Sequence, residues 1–285
     1  MSIRTPPVPV SSAEPCVLCG HSSWCSRTRD GLYFCMRTSG NREGFRWLSA
    51  SKTDAAWHLF RREGDALPMS ARPATPLPPA PTTPSVIDWQ AEAVRHRATL
   101  TSRRAEQLAG SLGLPTQAID LLELIGWSRE KQAFTIPERD GAGCIVGLSL
   151  RWLDGRKRVQ RGGRRGLFVP VNWMELLGSV RVPEGASDVL ALAWYGVPCV
   201  GRPSAMAGAD LLAGLLRDVD RPLVVLGEND IKDDGRWPGR EGAVWMAERL
   251  RQLLPGREVL MRLPPQGFKD VRAWVLSSLA ARASD

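Results

Sequence analysis

The chain has 285 residues, more than one ordinary small domain needs, which favours one sizeable core plus a small accessory module. Hydrophobic residues at 43% and charged residues at 24% are proportions of a globular protein and argue against wholesale disorder. Thirty-eight Lys and Arg against thirty Asp and Glu give a formal charge of +8, which favours long-range attraction to polyanions such as nucleic acid.

The first ten residues lack the charged start and apolar core of a signal peptide, and no later stretch holds eighteen uncharged apolar residues in a row. The expectation is a cytoplasmic protein with no membrane association. In a reducing compartment six cysteines are a poor disulfide framework, so clustering among them points to metal. Four of them, Cys16-x₂-Cys19-x₅-Cys25-x₉-Cys35, supply enough thiolates for a closed tetrahedral structural Zn²⁺ site. A segment this short cannot fold on its own apolar area, so metal binding would supply its folding free energy. His21 could replace one thiolate or lie outside the ligand set. Nearby, Trp24, Arg27, Arg29, Tyr33, Phe34, Arg37 and Arg42 suit base stacking and phosphate contact, or the aromatics simply pack the module's small core.

Residues 66–85 carry seven prolines among Ser, Thr and Ala and read as a stiff, extended linker between a zinc-binding module, 1–65, and the rest. From Asp88 the apolar spacing becomes helical, through Trp89, Ala93, His96 and Leu100 and later Leu108, Leu112 and Leu114. Pro115 should open a second short helix over 116–125, closed by Gly126. Residues 133–170 then change period: AFTIP, RDGAG, CIVGLSLRW, LDGR, KRVQR and GLFVP are antiparallel strands and turns. Cys144 and Cys199 fall in apolar strand sequence and are expected to be buried core thiols. Arg151, Arg156, Lys157, Arg158, Arg161, Arg164 and Arg165 form the densest basic run, which is either a phosphate track or a solvated face.

From Val180 onward short apolar strands alternate with helical stretches, which predicts a parallel sheet. In open parallel sheets ligands sit beyond the carboxyl ends of the strands. One strand ends at Pro183-Glu184-Gly185, with Asp188 on the first turn of the helix that follows. Another ends at Gly227-Glu228-Asn229-Asp230, where residues two apart on extended chain point the same way. Glu228 and Asp230 can thus converge on one cation, several carboxylates gathered at one sheet edge repel one another unless divalent metal neutralises them, and oxygen-only ligands select Mg²⁺ or Mn²⁺. Taken singly, each is also an ordinary polar residue of a strand-to-helix loop.

The order EGASD, GEND and, after an insertion, GREGA resembles the Toprim domain of primases and topoisomerases. The preceding FTIPERDGAGCIVGLSLRW, DGRKRVQRGG and GLFVP resemble the polymerase domain of bacterial and phage DNA primases, and the likeness spans about residues 87–275. The resemblance implies an α/β fold, α+β overall: a Toprim-type parallel sheet flanked by helices (179–285), preceded by a small mixed helical and antiparallel basic subdomain (86–178), with an N-terminal zinc ribbon. It implies that Glu184, Glu228 and Asp230 hold catalytic Mg²⁺, with Asp188 and Asp270 as further acidic residues. Arg151 and Lys157 match residues that contact template, metal-linked phosphates or incoming nucleotide, and Arg158, Arg161, Arg164, Arg165 and Lys269 join them as nucleic-acid or nucleotide contacts.

The implied activity is synthesis of short RNA primers from nucleoside triphosphates on single-stranded DNA. A ribbon placed in this way reads template sequence in that family. The Toprim block is not followed by a P-loop GxxxxGK(S/T), so a replicative helicase is expected to be a separate protein or to lie outside this chain. The alternatives are a non-catalytic DNA-binding replication or mobile-element protein with a Toprim-like scaffold, and a Toprim nuclease. The chain departs from the family in three places: Glu228 replaces the first of two aspartates, Gln160 stands at an asparagine position, and 231–238 lengthens a connection. Asp233 and Asp234 in that insertion are either extra metal ligands or residues of a solvent loop.

Overall fold

The computed structural model describes residues 7–22, 24–29, 31–51, 57–64, 87–233 and 235–282, so the proline-rich segment 66–85 lies outside the described residues. The chain divides into two compact units, Met1–Ile87 and Asp88–Asp285.

The first unit is an antiparallel sheet of β1 (Val8–Pro9), β2 (Cys25–Arg27), β3 (Leu32–Cys35), β4 (Phe45–Ala50) and β5 (His58–Arg62), in the order β1-β2-β3-β5-β4. Its core is small: Phe45 and Phe60 are buried beside Cys16, Cys25 and Cys35, and Tyr33 packs edge-on against Phe45 with ring centroids 5.1 Å apart. Leu32, Met36, Phe45 and Phe60 are too few buried apolar side chains to offset the ordering of some fifty residues, which leaves the cysteine cluster to do so.

The second unit begins with α1 (Trp89–Arg97), whose Asp88 cap accepts from the Ala91 amide, and α2 (Ser102–Leu112), capped by the Thr101 hydroxyl. The helix expected over 116–125 is instead a 3-10 turn, Thr116–Leu121, and Leu122 is already extended. Gly126 does not close a helix but opens a strand. A Cβ there would lie 2.4 Å from the His96 carbonyl carbon, so glycine is required where β6 (Gly126–Ser128) crosses the end of α1.

Strands β6, β7 (Ala133–Arg139), β8 (Ile145–Arg151) and β9 (Lys157–Val159) form an antiparallel sheet in sequence order. Cys144 is exposed, contrary to expectation, because it belongs to the β7–β8 turn, where the Asp140 carboxylate accepts from the Ala142 and Cys144 amides at 3.0 Å. Cys199 is buried.

The chain then runs through β10 (Val180–Val182), α3 (Gly185–Trp194), α4 (Ala209–Leu216), β11 (Leu223–Leu226), α5 (Pro238–Leu253), β12 (Val259–Arg262) and α6 (Val271–Arg282). Strands β10, β11 and β12 are parallel and adjacent in that order, with Val182 opposite Val225 and Val225 opposite Met261. Single bridges carry the sheet onward to the antiparallel strands: Arg181 to Cys199 in parallel, Gly201 to Phe168 and Leu167 to Arg139 antiparallel.

Alternation along β11 shows how both faces are covered. Val224 and Leu226 enter the core built with Leu108, Ile119, Phe134 and Leu190, whereas Leu223 and Val225 enter the core built with Leu212, Leu216, Met246 and Leu250. Among the described residues no helix is long and apolar enough to cross a membrane.

Candidate active site and metal centre

Two groups of chemistry-bearing side chains stand out, one in each unit. In the first, the turn after Cys16 is closed by the Gly20 amide donating to the Cys16 carbonyl at 2.7 Å, with Gly20 at φ 74°. That turn brings Cys19 round to the strands, where Cys25 and Cys35 face each other across β2 and β3. The four sulfurs lie within 4.8 Å of one another, with Cys19–Cys25 and Cys25–Cys35 both at 3.7 Å. Contact with Cys16 and Cys19, together with burial, pushes the Cys25 and Cys35 thiols up, so four thiolates can coexist here only round a cation. Four sulfur ligands at this spacing suit tetrahedral Zn²⁺.

His21 stays exposed, its Nδ1 at 2.9 Å from the Cys19 carbonyl, and is not part of the sulfur cluster. Of the ribbon residues read from sequence, Tyr33 serves the core, Arg27 pairs with Glu14 at 2.5 Å, and Arg42 donates to Thr38 at 2.6 Å. Arg29 is exposed, and Trp24 and Phe34 are half-buried. An outward aromatic that the sequence reading passed over is Trp47 on β4, exposed beside His58 at 6.3 Å between ring centroids.

In the second unit the acidic residues collect at the carboxyl ends of the parallel strands. Glu184 precedes Gly185, whose φ of 77° turns the chain from β10 into α3, and Asp188 on the first turn of α3 is only 4% exposed. Glu228, Asn229 and Asp230 follow β11. The Asn229 side-chain amide donates to the Pro264 and Phe268 carbonyls at 2.9 and 2.8 Å, and its backbone amide to the Lys269 carbonyl at 2.7 Å. These bonds pin the loop after β12 against β11 and bring Asp270 to the cluster, where it also accepts from the Ala273 amide at the start of α6. Sequence reasoning gave Asn229 no part, although a side chain with two donors between two acidic residues was the available signal.

The carboxylates feel one another. Burial, then the charges of Asp270 and Glu228, push the Asp188 carboxyl up to about 8. Burial, then Glu184 and Asp270, push Glu228 up to about 7, with Asp230 adding in the same direction and Lys269 opposing. Lys157 reaches the same cluster from β9: burial and Arg151 pull its pKa down, while Asp188, Glu228 and Glu184 hold it up.

Asp230 accepts from the Gly239 amide at 2.7 Å and lies 3.6 Å from the Lys232 ammonium. A Cβ on Gly239 would sit 2.8 Å from that carboxylate oxygen, so the GREGA glycine is needed for this approach. Among the described residues the cysteines are the group closed to ion-binding distance, and the carboxylates stand further apart. An all-oxygen set in which Asp188 and Glu228 are pushed up fits a divalent cation, whose charge would draw the carboxylates together. Asp233 is exposed in the inserted turn, and Asp234 lies outside the described residues.

The basic run divides. Arg158, Arg161 and Arg164 are exposed, and Arg151 is half-buried at the end of β8, where burial and the charge of Arg272 pull its pKa down. Arg165 is otherwise engaged: it donates to the Pro203 carbonyl and lies 3.3 Å from the fully buried Glu138 carboxylate. Arg156 is held by Asp154 at 2.6 Å.

No protein-family model and no curated protein matches the chain. Among solved structures it is similar to a DnaG primase catalytic domain bound to single-stranded DNA, at 19% identity and a TM-score of 0.51 over 69% of this chain and 76% of that one. It is also similar to the Escherichia coli primase catalytic core, at 17% identity and a TM-score of 0.51 over 69% and 78%. The chain has the fold of primase catalytic cores. A third structure, the zinc-binding and RNA polymerase domains of Aquifex aeolicus primase, matches at 17% identity and a TM-score of 0.50 over 68% of this chain and 59% of that one. At these identities the likeness to primase cores concerns the fold, and activity has to be argued from the side chains.

Two outcomes follow from the two sites. Protein purified without chelators should carry one zinc per chain by elemental analysis, and Cys25→Ser should lose it; a parent protein without zinc would contradict the sulfur site. Asp188 and Glu228 bind protons more tightly folded than unfolded, so stability in buffers free of Mg²⁺ and Mn²⁺ should fall as pH rises from about 4 to about 8. Asp188→Asn should flatten that fall and leave the variant more stable than the parent at pH 8, as read from denaturation midpoints across pH.

Proposed function

We propose that the chain is a DNA primase, a nucleotidyltransferase that joins nucleoside triphosphates into a short RNA primer on single-stranded DNA. One observation carries the reading: Glu184, Asp188, Glu228, Asp230 and Asp270, drawn from the ends of three parallel strands, form one electrostatic cluster that Lys157 faces from the neighbouring antiparallel strands. Cation sites and cationic side chains set together suit a substrate that carries a triphosphate. The primase-core fold and the sulfur site in the first unit support it, and on this reading the parallel part of the sheet is the Toprim-like domain.

Glu184, Glu228 and Asp230 would hold Mg²⁺ or Mn²⁺, which when bound favours the ionised 3′-hydroxyl and stabilises charge on the departing pyrophosphate. Lys157 and Arg151 bind and orient the triphosphate. Lys157 is suited to this because the carboxylates keep its ammonium charged next to the position where phosphate charge builds. Arg158, Arg161 and Arg164, exposed on β9 and the turn after it, contact the template backbone, with Lys269 at the opposite rim. The zinc-bearing unit contacts the template, and strand opening is the work of a replicative helicase partner. A chain of this kind suits a phage or other mobile element.

The reading is tested by incubating the full chain with single-stranded DNA, Mg²⁺ and labelled nucleoside triphosphates. Short RNA products should appear. Asp230→Asn keeps an acceptor for the Gly239 amide while removing the charge that holds the cation, so it should lower synthesis by about a thousandfold or more and leave DNA binding intact. Equal synthesis by the variant, or DNA cleavage in place of synthesis, would overturn the reading.

A further inference from the structure

Arg202 is fully buried, the largest side chain with no exposed surface among the described residues, and sequence reasoning assigned it nothing. It lies on the segment that runs parallel to β10, its backbone amide bonded to the Pro183 carbonyl at 3.0 Å and its carbonyl to the Gly185 amide at 2.9 Å. Nη1 donates to two carbonyls, Val182 at 2.8 Å and Leu226 at 3.0 Å. These are the last residues of β10 and β11, and each stands two positions before a carboxylate, Glu184 and Glu228. Nη2 lies 3.8 Å from the Glu184 carboxylate, and neither Nη2 nor Nε has a hydrogen-bond partner. Burying an arginine with two nitrogens unsatisfied is costly unless its charge is used. The charge it faces is the acidic cluster: Glu184, then Glu228 and Asp188, favour its protonated form against burial.

We infer that Arg202 is the positioning residue of the acidic site: one guanidinium ties the ends of β10 and β11 at a fixed separation and sets a permanent positive charge beneath Glu184 and Glu228. The strand ends thereby hold the carboxylates ready for a cation before any cation arrives. Lysine in its place keeps the charge but offers one compact ammonium, which cannot serve both carbonyls and Glu184 together. Loss of position is then separated from loss of charge.

The inference rests on the metal-site reading above, and its test has two arms that fail separately. In the first, the stabilities of Glu184→Gln, Arg202→Met and the double variant of the full chain are compared in a double-mutant cycle. Glu184→Gln alone should destabilise, because it strips a countercharge from a buried guanidinium. The double variant should lose less than the sum, with a coupling of about fivefold or more in the unfolding equilibrium. Additivity within about twofold would overturn the inference. If Arg202→Met is not recovered folded, the same cycle is run with Arg202→Lys.

In the second arm, Mn²⁺ binding is measured by electron paramagnetic resonance. Arg202→Lys should bind about tenfold or more weakly, as loss of an outer support does in metal sites. Binding equal to the parent's would overturn the positioning role. A parent that binds no Mn²⁺ would remove the catalytic reading, and the cycle would then decide the role of Arg202 alone.

Discussion

Like charges at the ends of neighbouring strands constrain everything else in the larger unit. Parallel strands lie about 5 Å apart, so carboxylates that leave adjacent strand ends cannot avoid one another. Two unit charges at about that distance repel by roughly 3 kcal/mol at the effective dielectric of a protein surface. The fold contains this repulsion in three ways: Arg202 supports the cluster from beneath, Lys157 faces it from β9, and Asp188 withdraws into the protein with its proton favoured. Asn229 works against them, pinning the loop that delivers Asp270. Each measure leaves the cluster short of full neutrality, which is the state that favours capture of a divalent ion.

The antiparallel strands matter because of where they end. Bridges from Arg139 to Leu167 and from Phe168 to Gly201 make them continuous with the parallel sheet, and β9 then carries Lys157 to the acidic edge. Glu138 secures the join: fully buried, it accepts from Ser149 and the Gly166 amide and pairs with Arg165. One arginine of the basic run is therefore spent on structure, leaving Arg158, Arg161 and Arg164 to face solvent. The smaller unit answers to a different constraint, since so small an apolar core needs the sulfur site for its stability.

Much of this was legible in the residues. Short apolar strands such as LVVL alternating with helical stretches, and the glycines after the acidic strand ends, marked a parallel sheet with chemistry at its edge, because burial on both faces and a sharp strand-to-helix turn leave strong local signatures. The cysteine spacing marked the metal site in the same way. What the sequence hid were relations between distant segments. Gly126 looked like a helix stop until the close crossing of α1 gave the reason for it, and Cys144 looked like a core thiol until Asp140 drew it into a turn. The roles of Arg202 and Asn229 stayed hidden, since they depend on carbonyls twenty or more residues away in one case and more than thirty in the other.

The central claim is that the carboxylates at the ends of β10 and β11 converge on one divalent ion. Anomalous X-ray scattering from crystals of the full chain grown with Mn²⁺, recorded at the manganese edge, tests it most directly. The account predicts a peak bounded by Glu184, Glu228 and Asp230, with the Arg202 guanidinium still bridging Val182 and Leu226 behind it. Data with no manganese at the strand ends, or with manganese bound elsewhere while Lys232 keeps its place on Asp230, would contradict it.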